Sequence, residues 1–339
     1  MAHRHRGYGG RKPSRGRLLK MGIAAVVLLA AVLLAVVYVG GRMEPDAPES
    51  RGSLEGRFQP TLTLEHDGKT YAHQELDYTT LLFIGVDKST LDSATMRQGG
   101  QADFLLLMTI DRDHREVDVL QIDRDTMADV QVYGAFGNPA GKRMTQISLS
   151  YAFGTNPEKA CQNTVKAVTD LLGGIPIDNY VALDMDGMTV LNDMLGGVTV
   201  TLEDDFTELD PAMKSGETIT LKGKQAEYYL RSRMLVGDGT NESRMNRQAA
   251  FMEAAAELLL AKMAEDADFV GELLDALDEH LETSCEDGWL ISQAYGARQY
   301  KRTPLARLSG EHLVGNDGFV EFHHDTNALT EYIISTFCE

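Results

Sequence analysis

Leu81-Leu82-Phe83-Ile84-Gly85-Val86-Asp87, Phe104-Leu105-Leu106-Leu107-Met108-Thr109-Ile110-Asp111 and Val117-Asp118-Val119-Leu120-Gln121-Ile122-Asp123 are three largely apolar runs, each closed by an aspartate. Hydrophobicity that is continuous, rather than alternating every second residue, marks strands buried on both faces. Such strands need cover on both sides. Residues 161–172 read as a helix ending at Gly173-Gly174, and 186–195 as a helix between strands at 180–183 and 198–202. Residues 223–234 can hold a short helix, 242–263 are rich in Ala, Leu and Glu and read as a long one, and 269–281 and 327–337 add two more. Asp67-Gly68 between 61–65 and 69–72 is a hairpin signal. Strands mixed with helices predict an α/β fold, a single domain over residues 61–339 with a central mixed β-sheet covered by helices.

Upstream the chain changes character. Residues 21–41 carry no charge and are mostly Ala, Val and Leu, about the length that a helix needs to cross a hydrocarbon core. Arg4, Arg6, Arg11, Lys12, Arg15, Arg17 and Lys20 precede this run without an acid among them, which reads as a cytoplasmic flank. The expected layout is a basic cytoplasmic tail at 1–20, a transmembrane helix at 21–41, a Pro- and Gly-containing tether at 42–60, and an extracellular C-terminal domain. A cleaved signal peptide is the rival reading. Its apolar region is shorter, roughly 7–15 residues, and ends at a small-residue cleavage site; Ala35-Val36-Val37 matches that poorly.

Setting aside those seven basic residues leaves 25 Lys and Arg against 51 Asp and Glu, a net of −26. So acidic a domain is unsuited to nonspecific nucleic-acid binding, and any anion site must be a local basic cluster. Cys161, Cys285 and Cys338 are far apart and odd in number. A Cys285–Cys338 disulfide and buried free thiols are both open, and no structural zinc is suggested.

The basic cluster is Arg231-Ser232-Arg233 followed by Arg244-Met245-Asn246-Arg247-Gln248. Arg244, Arg247 and Gln248 are spaced to share one side of a helix start. Guanidinium groups around a helix N-terminus suit a phosphate; the competing reading is a solvated patch paired with neighbouring acids. Asp87, Asp103 and Asp125 adjoin the predicted strands, where open α/β sheets place ligands. Two such carboxylates suit Mg²⁺, which takes one or two carboxylates with substrate phosphates and water, although turns also favour Asp. Arg124, directly after a buried strand, either pairs with these acids or aims at an anion.

From residue 78 onward the chain resembles the LytR-CpsA-Psr (LCP) family of cell-envelope proteins. The matching stretches are Leu82-Phe-Ile-Gly-Val-Asp87, Ala102-Asp103, Ile122-Asp-Arg124-Asp125-Thr126, Tyr151-Ala-Phe-Gly154, Leu195-Gly-Gly-Val198, Gly223-Lys-Gln-Ala226, Arg231-Ser-Arg233 and Arg244-Met-Asn-Arg247-Gln248. The resemblance implies a phosphotransferase of cell-wall assembly. It would move a glycopolymer from a polyprenyl-pyrophosphate lipid to peptidoglycan, usually onto the C6 hydroxyl of N-acetylmuramic acid. It also implies that Asp87 and Asp103 bind Mg²⁺ and that Arg124, Arg231, Arg233, Arg244 and Gln248 hold the pyrophosphate, with Arg247 adjoining. Asp125 or Asp103 would accept the proton of the attacking hydroxyl. Three positions depart from the family pattern. Gln101 stands for an Arg, Gln146 for a Lys and Asn241 for an Asp. These neutral replacements motivate the alternative of a non-catalytic polyprenyl-phosphate-binding or scaffolding protein. A transcriptional regulator is disfavoured by a pre-helix tail too short for a DNA-binding domain.

Overall fold

The computed structural model describes residues 63–73, 77–87, 100–134, 138–266, 268–285, 289–290, 292–293, 296 and 300–338. The predicted tail, transmembrane helix and tether lie outside these. Among the described residues no helix is long and apolar enough to cross a membrane.

The three apolar runs form β3 (Tyr78–Asp87), β4 (Gln101–Asp111) and β5 (Glu116–Ile122), after a hairpin of β1 (Thr63–His66) and β2 (Lys69–Ala72). Asp67 and Gly68 both have positive φ, 51° and 73°, as the tight turn between β1 and β2 requires. Every residue of β3 and β4 between the strand ends is buried. After β5 come β6 (Met127–Tyr133), β7 (Pro139–Gln146), α1 (Leu149–Ala152), α2 (Pro157–Leu171), β8 (Asn179–Asp184), α3 (Met185–Met194), β9 (Thr199–Thr201), β10 (Thr218–Thr220), α4 (Lys224–Arg231), α5 (Asn241–Glu265) and α6 (Phe269–Leu277). The chain closes with β11 (Leu281–Thr283), β12 (Lys301–Arg302), β13 (Ala306–Arg307), β14 (Gly310–Val314), β15 (Val320–His324) and α7 (Thr326–Phe337).

The central sheet has seven strands in the order β11-β8-β3-β4-β5-β12, with β13 also beside β5. It is mixed: β8 runs parallel to β3, and β12 and β13 parallel to β5, while β4 is antiparallel to both its neighbours. One face packs Phe83, Leu106 and Val119 against Leu191 of α3, Tyr229 of α4, Phe251 of α5 and Leu273 of α6. The other packs Leu82, Leu105 and Leu120 against Tyr151 of α1, Val168 of α2 and Ile333 of α7.

Three expectations change. The 198–202 strand joins a separate two-stranded ribbon, β9–β10, rather than the central sheet. The 223–234 helix stops at Arg231, where Ser232 turns extended. All three cysteines are free, with Cys161 in the core, so no Cys285–Cys338 disulfide forms.

Gly85 faces Phe104 across β3 and β4 so closely that a Cβ there would lie 2.8 Å from the Cβ of Phe104. Immediately beyond, the register shifts: Gly85 pairs with Phe104 but Val86 with Ala102. Asp103 is therefore the extra residue of a β-bulge, a device that re-aims a side chain.

Candidate functional site

Three of the strand-end acids meet at one edge of the sheet. β3 ends there, β4 begins there and β5 leaves there, so Asp87, Asp103 and the 123–125 turn are neighbours, whereas Asp111 lies at the opposite edge and caps the β4–β5 turn through the His114 amide, 2.9 Å. The 123–125 turn is built by its own first residue. Asp123 Oδ1 accepts from the Asp125 amide (2.8 Å) and its carbonyl from the Thr126 amide (3.0 Å), an Asx arrangement. It projects Arg124 back over the sheet edge. Arg124 Nη1 donates to Asp103 Oδ1 at 2.5 Å, Nη2 donates to Gln101 Oε1, and Nε lies 3.4 Å from Asp125 Oδ1.

Helix α5 contributes the second arginine. Arg244 Nη1 donates to Asp103 Oδ2 at 3.1 Å, and its Nε and Nη2 donate to Asn241 Oδ1 at 3.1 and 2.6 Å. Its guanidinium is buried, which lowers its pKa, while the Asp103 charge opposes that shift. Asp103 thus has both oxygens engaged by guanidinium groups. Arg231, at the end of α4, donates from Nε to Asp87 Oδ2 at 3.1 Å, and its Nη1 donates to Glu227 Oε1 at 3.2 Å. Arg233 reaches the same edge. Its Nη1 lies 3.7 Å from Asp125 Oδ2 while its Nε donates to the Gly239 carbonyl at 3.0 Å.

Asp125 differs from Asp103. Its side chain is 1 % exposed, and Gln146 Nε2 donates to Oδ1 at 2.9 Å. Among the described residues Oδ2 has no hydrogen-bond partner, and neither has Arg124 Nε. Burial pushes the Asp125 pKa up, against the opposing charge of Arg124.

Arg247 and Gln248, which the resemblance places with the pyrophosphate residues, make their hydrogen bonds away from Asp87, Asp103 and Asp125 in this structure. Arg247 Nε donates to the Tyr229 carbonyl (3.1 Å), Nη2 to the Ser232 carbonyl and Nη1 to Asp204 Oδ2 (2.6 Å), and its guanidinium lies over the Phe206 ring. Gln248 Nε2 donates to the Leu230 carbonyl at 3.3 Å. Both side chains grip the end of α4 from beneath, under the segment that carries Arg231 and Arg233. They share the buried side of α5 with Arg244, as their spacing predicts, but point elsewhere. The start of α5 is also capped from within. Thr240 Oγ1 accepts from the Ser243 amide at 3.2 Å and itself donates to Asp238, so guanidinium groups rather than the helix end supply the exposed positive charge.

The three neutral replacements are wired into the cluster. Gln101 accepts from Arg124, Gln146 donates to Asp125 and to the Val320 carbonyl (2.6 Å), and Asn241 Nδ2 donates to Asp123 Oδ1 at 2.7 Å. Asp123 Oδ2 in turn accepts from His312 Nε2 at 2.9 Å. Neither Asp123 nor His312 stands out as a site residue in the sequence. Asp123 looked like one more strand-closing acid, and His312 arrives from β14, almost 190 residues later, with no motif around it.

Among the described residues no group of three or more His, Cys, Asp or Glu side chains is arranged to hold a metal. Asp87 and Asp103 offer hard carboxylate oxygens, the donor type Mg²⁺ takes when substrate and water complete its shell.

The sequence pattern of the LytR_cpsA_psr family matches residues 52–332. The polyisoprenyl-teichoic acid–peptidoglycan teichoic acid transferase TagV of Bacillus subtilis (strain 168) is 27 % identical over 320 residues, covering 90 % of this chain and 75 % of that protein. The transferase of the same description, TagU, of Halalkalibacterium halodurans is 26 % identical over 277 residues, covering 80 % of this chain and 83 % of its own. The crystal structure of B. subtilis TagV has the same fold, with a TM-score of 0.57 at 23 % identity over 78 % of this chain and 97 % of that one. Matched along most of its length and folded alike, the chain belongs to the LytR_cpsA_psr family.

Proposed function

We propose that this protein is a phosphotransferase of cell-wall assembly. It moves a glycopolymer, joined through phosphate to a polyprenyl-pyrophosphate carrier, onto a peptidoglycan hydroxyl. The observation that carries the reading is the convergence of Arg124, Arg231, Arg233 and Arg244 with Asp87, Asp103 and Asp125 at one sheet edge, from separate segments of the chain. The teichoic acid transfer to peptidoglycan for which the TagV and TagU relatives are named supports the same class of reaction. A cavity of about 180 Å³, lined mainly by Phe104, Leu106, Val119, Met252 and Leu305 with Gln121, Glu253 and Thr303 at its walls, starts one residue beyond Asp103 and has room for a short apolar segment of the carrier. Residues 21–41 would hold the chain in the cell membrane, with the catalytic domain on the outer side beside that lipid.

In this reading the acceptor oxygen bonds to the phosphorus that carries the polymer. The bridging P–O bond of the pyrophosphate breaks and polyprenyl monophosphate leaves. The arginines neutralise charge on the transferring phosphoryl group, and positioning supplies most of the remaining acceleration. Mg²⁺, held by Asp87 and Asp103 when bound, would add its charge to the same oxygens. Asp125 is the better proton acceptor because its Oδ2 accepts no hydrogen bond among the described residues, with only the longer 3.7 Å contact to Arg233, and its burial raises proton affinity, whereas both oxygens of Asp103 accept from Arg124 and Arg244. Full-length protein in detergent should bind a short-chain prenyl pyrophosphate, with affinity reduced in Arg231→Ala and Arg233→Ala. Unchanged affinity in both variants defeats the site assignment.

The second reading is a binding or scaffolding protein without transfer, favoured by the neutral side chains at 101, 146 and 241. Mg²⁺-dependent cleavage of a prenyl pyrophosphate, lost in Asp103→Ala, rules against it.

A further inference from the structure

We propose that Asp123 and His312 are positioning residues of the pyrophosphate site: Asp123, on the β5–β6 turn, supplies the negative charge that Asn241 lacks, and His312, on the β14–β15 hairpin, holds Asp123 in place. The inference rests on the functional reading above. It begins with the orientation of one amide. Arg244 turns Nε and Nη2 on Asn241 at 3.1 and 2.6 Å, and a guanidinium has only donors to offer. Asn241 must therefore present its oxygen to Arg244 and its NH₂ on the other side. What stands there, 2.7 Å away, is Asp123 Oδ1, an acceptor. The reversed amide would set oxygen against carboxylate and NH₂ against guanidinium, so Asp123 and Arg244 together fix Asn241 in one state.

Asp123 is itself held from three directions. The Asp125 amide and Asn241 share Oδ1, and His312 Nε2 meets Oδ2 at 2.9 Å. His312 is kept in place by packing on Phe322, ring centroids 4.8 Å apart. Phe322 in turn donates its amide to the Asp125 carbonyl at 2.8 Å. The hairpin is thereby fastened to the same turn that carries Arg124 and Asp125. The chain of contacts His312–Asp123–Asn241–Arg244–Asp103 runs from a half-exposed side chain on the hairpin to a carboxylate assigned to Mg²⁺, with one formal negative charge placed one residue further from Arg244 than a carboxylate at 241 would place it. A polarised amide passes that charge on, because an acceptor whose own NH₂ is bound to an anion is a stronger acceptor.

The test moves the charge. Full-length protein in detergent is titrated with farnesyl pyrophosphate in the presence of Mg²⁺. Asp123→Ala leaves the Asn241 amide unheld and should weaken binding about tenfold, in line with loss of one charge-assisted contact at a buried site. The double variant Asp123→Ala/Asn241→Asp sets a carboxylate directly on Arg244 and should recover affinity to within about threefold of the parent. A role confined to capping the turn predicts no recovery, because Asn241→Asp cannot replace the acceptor of the Asp125 amide. Asp123→Asn keeps that cap and should still weaken binding, as should His312→Ala, with His312→Gln partly restoring it. Binding equal to the parent in Asp123→Asn and His312→Ala, or a double variant no better than Asp123→Ala, overturns the inference. If the parent itself does not bind the probe, or Arg231→Ala does not weaken it, the functional reading fails first, and the two failures are told apart.

Discussion

Arg247→Ala removes a guanidinium that is 4 % exposed and donates to two backbone carbonyls and to Asp204. Removing one partner of a buried charge pair costs about 3–5 kcal/mol. Asp204 is 21 % exposed, so water recovers part of that cost, while the Tyr229 and Ser232 carbonyls lose their donor. A net loss of about 3 kcal/mol is the expectation, equivalent to a fall in Tm of roughly 6–12 °C for a domain of this size. The same change frees the end of α4 and should also weaken prenyl-pyrophosphate binding, because Arg231 and Arg233 are presented by that segment. Thermal unfolding and ligand titration of the same preparation separate the two effects. Arg233→Ala is the control. Its side chain is 23 % exposed and, among the described residues, bonds the Gly239 carbonyl alone, with a long contact to Asp125, so it should lose binding with little change in Tm. An Arg247→Ala protein that melts with the parent yet fails to bind would mean the guanidinium meets the ligand, and would refute its reading as a buttress.

Three further outcomes are expected. Asp125 has a raised pKa through burial, so the folded state holds its proton more tightly than the unfolded one. The stability this contributes is full below the ordinary value of 3.8 and is lost as pH rises through the folded value; Asp125→Asn should therefore raise Tm at pH 7 relative to the parent, with the gain fading towards pH 3.5 or so, while abolishing transfer. Gly154→Ala places a Cβ 2.2 Å from the Ala160 Cα; an overlap with backbone of this kind should cost about 3 kcal/mol and be seen as a large drop in Tm. Removing divalent metal with a chelator should weaken prenyl-pyrophosphate binding in the parent, and Asp87→Asn should make binding insensitive to the chelator; equal chelator sensitivity in both would remove Asp87 from the metal assignment.

Gly154 also illustrates how a motif residue acquires its reason. Tyr151-Ala-Phe-Gly154 supported the family resemblance without any role of its own. In the fold, Tyr151 is buried in the core beneath the sheet and Gly154 lets the chain leaving α1 pass against α2. This motif is packing, whereas Ile122-Asp-Arg124-Asp125 brings Arg124 and Asp125 to the proposed site, and the sequence distinguishes the two only by residue type.

The sequence by itself determined the strand and helix pattern of the central sheet, because continuous burial on both faces demands continuous apolar runs, and that demand is local. It also marked Asp87, Asp103, Arg124, Asp125, Arg231, Arg233 and Arg244, since charges beside apolar strands and at helix starts are visible in one dimension. Tertiary structure alone decided where those side chains point. Arg244 and Arg247 share one helical side, yet one meets Asp103 and the other meets Asp204 and the end of α4. The Asp103 bulge depends on how β3 and β4 register, which no single strand specifies. His312 reaches Asp123 only through the docking of a hairpin with a weak strand signal and no charge motif. Helical period and apolar runs are properties of neighbours along the chain. A hydrogen bond across 189 residues is a property of packing, and only the folded chain contains it.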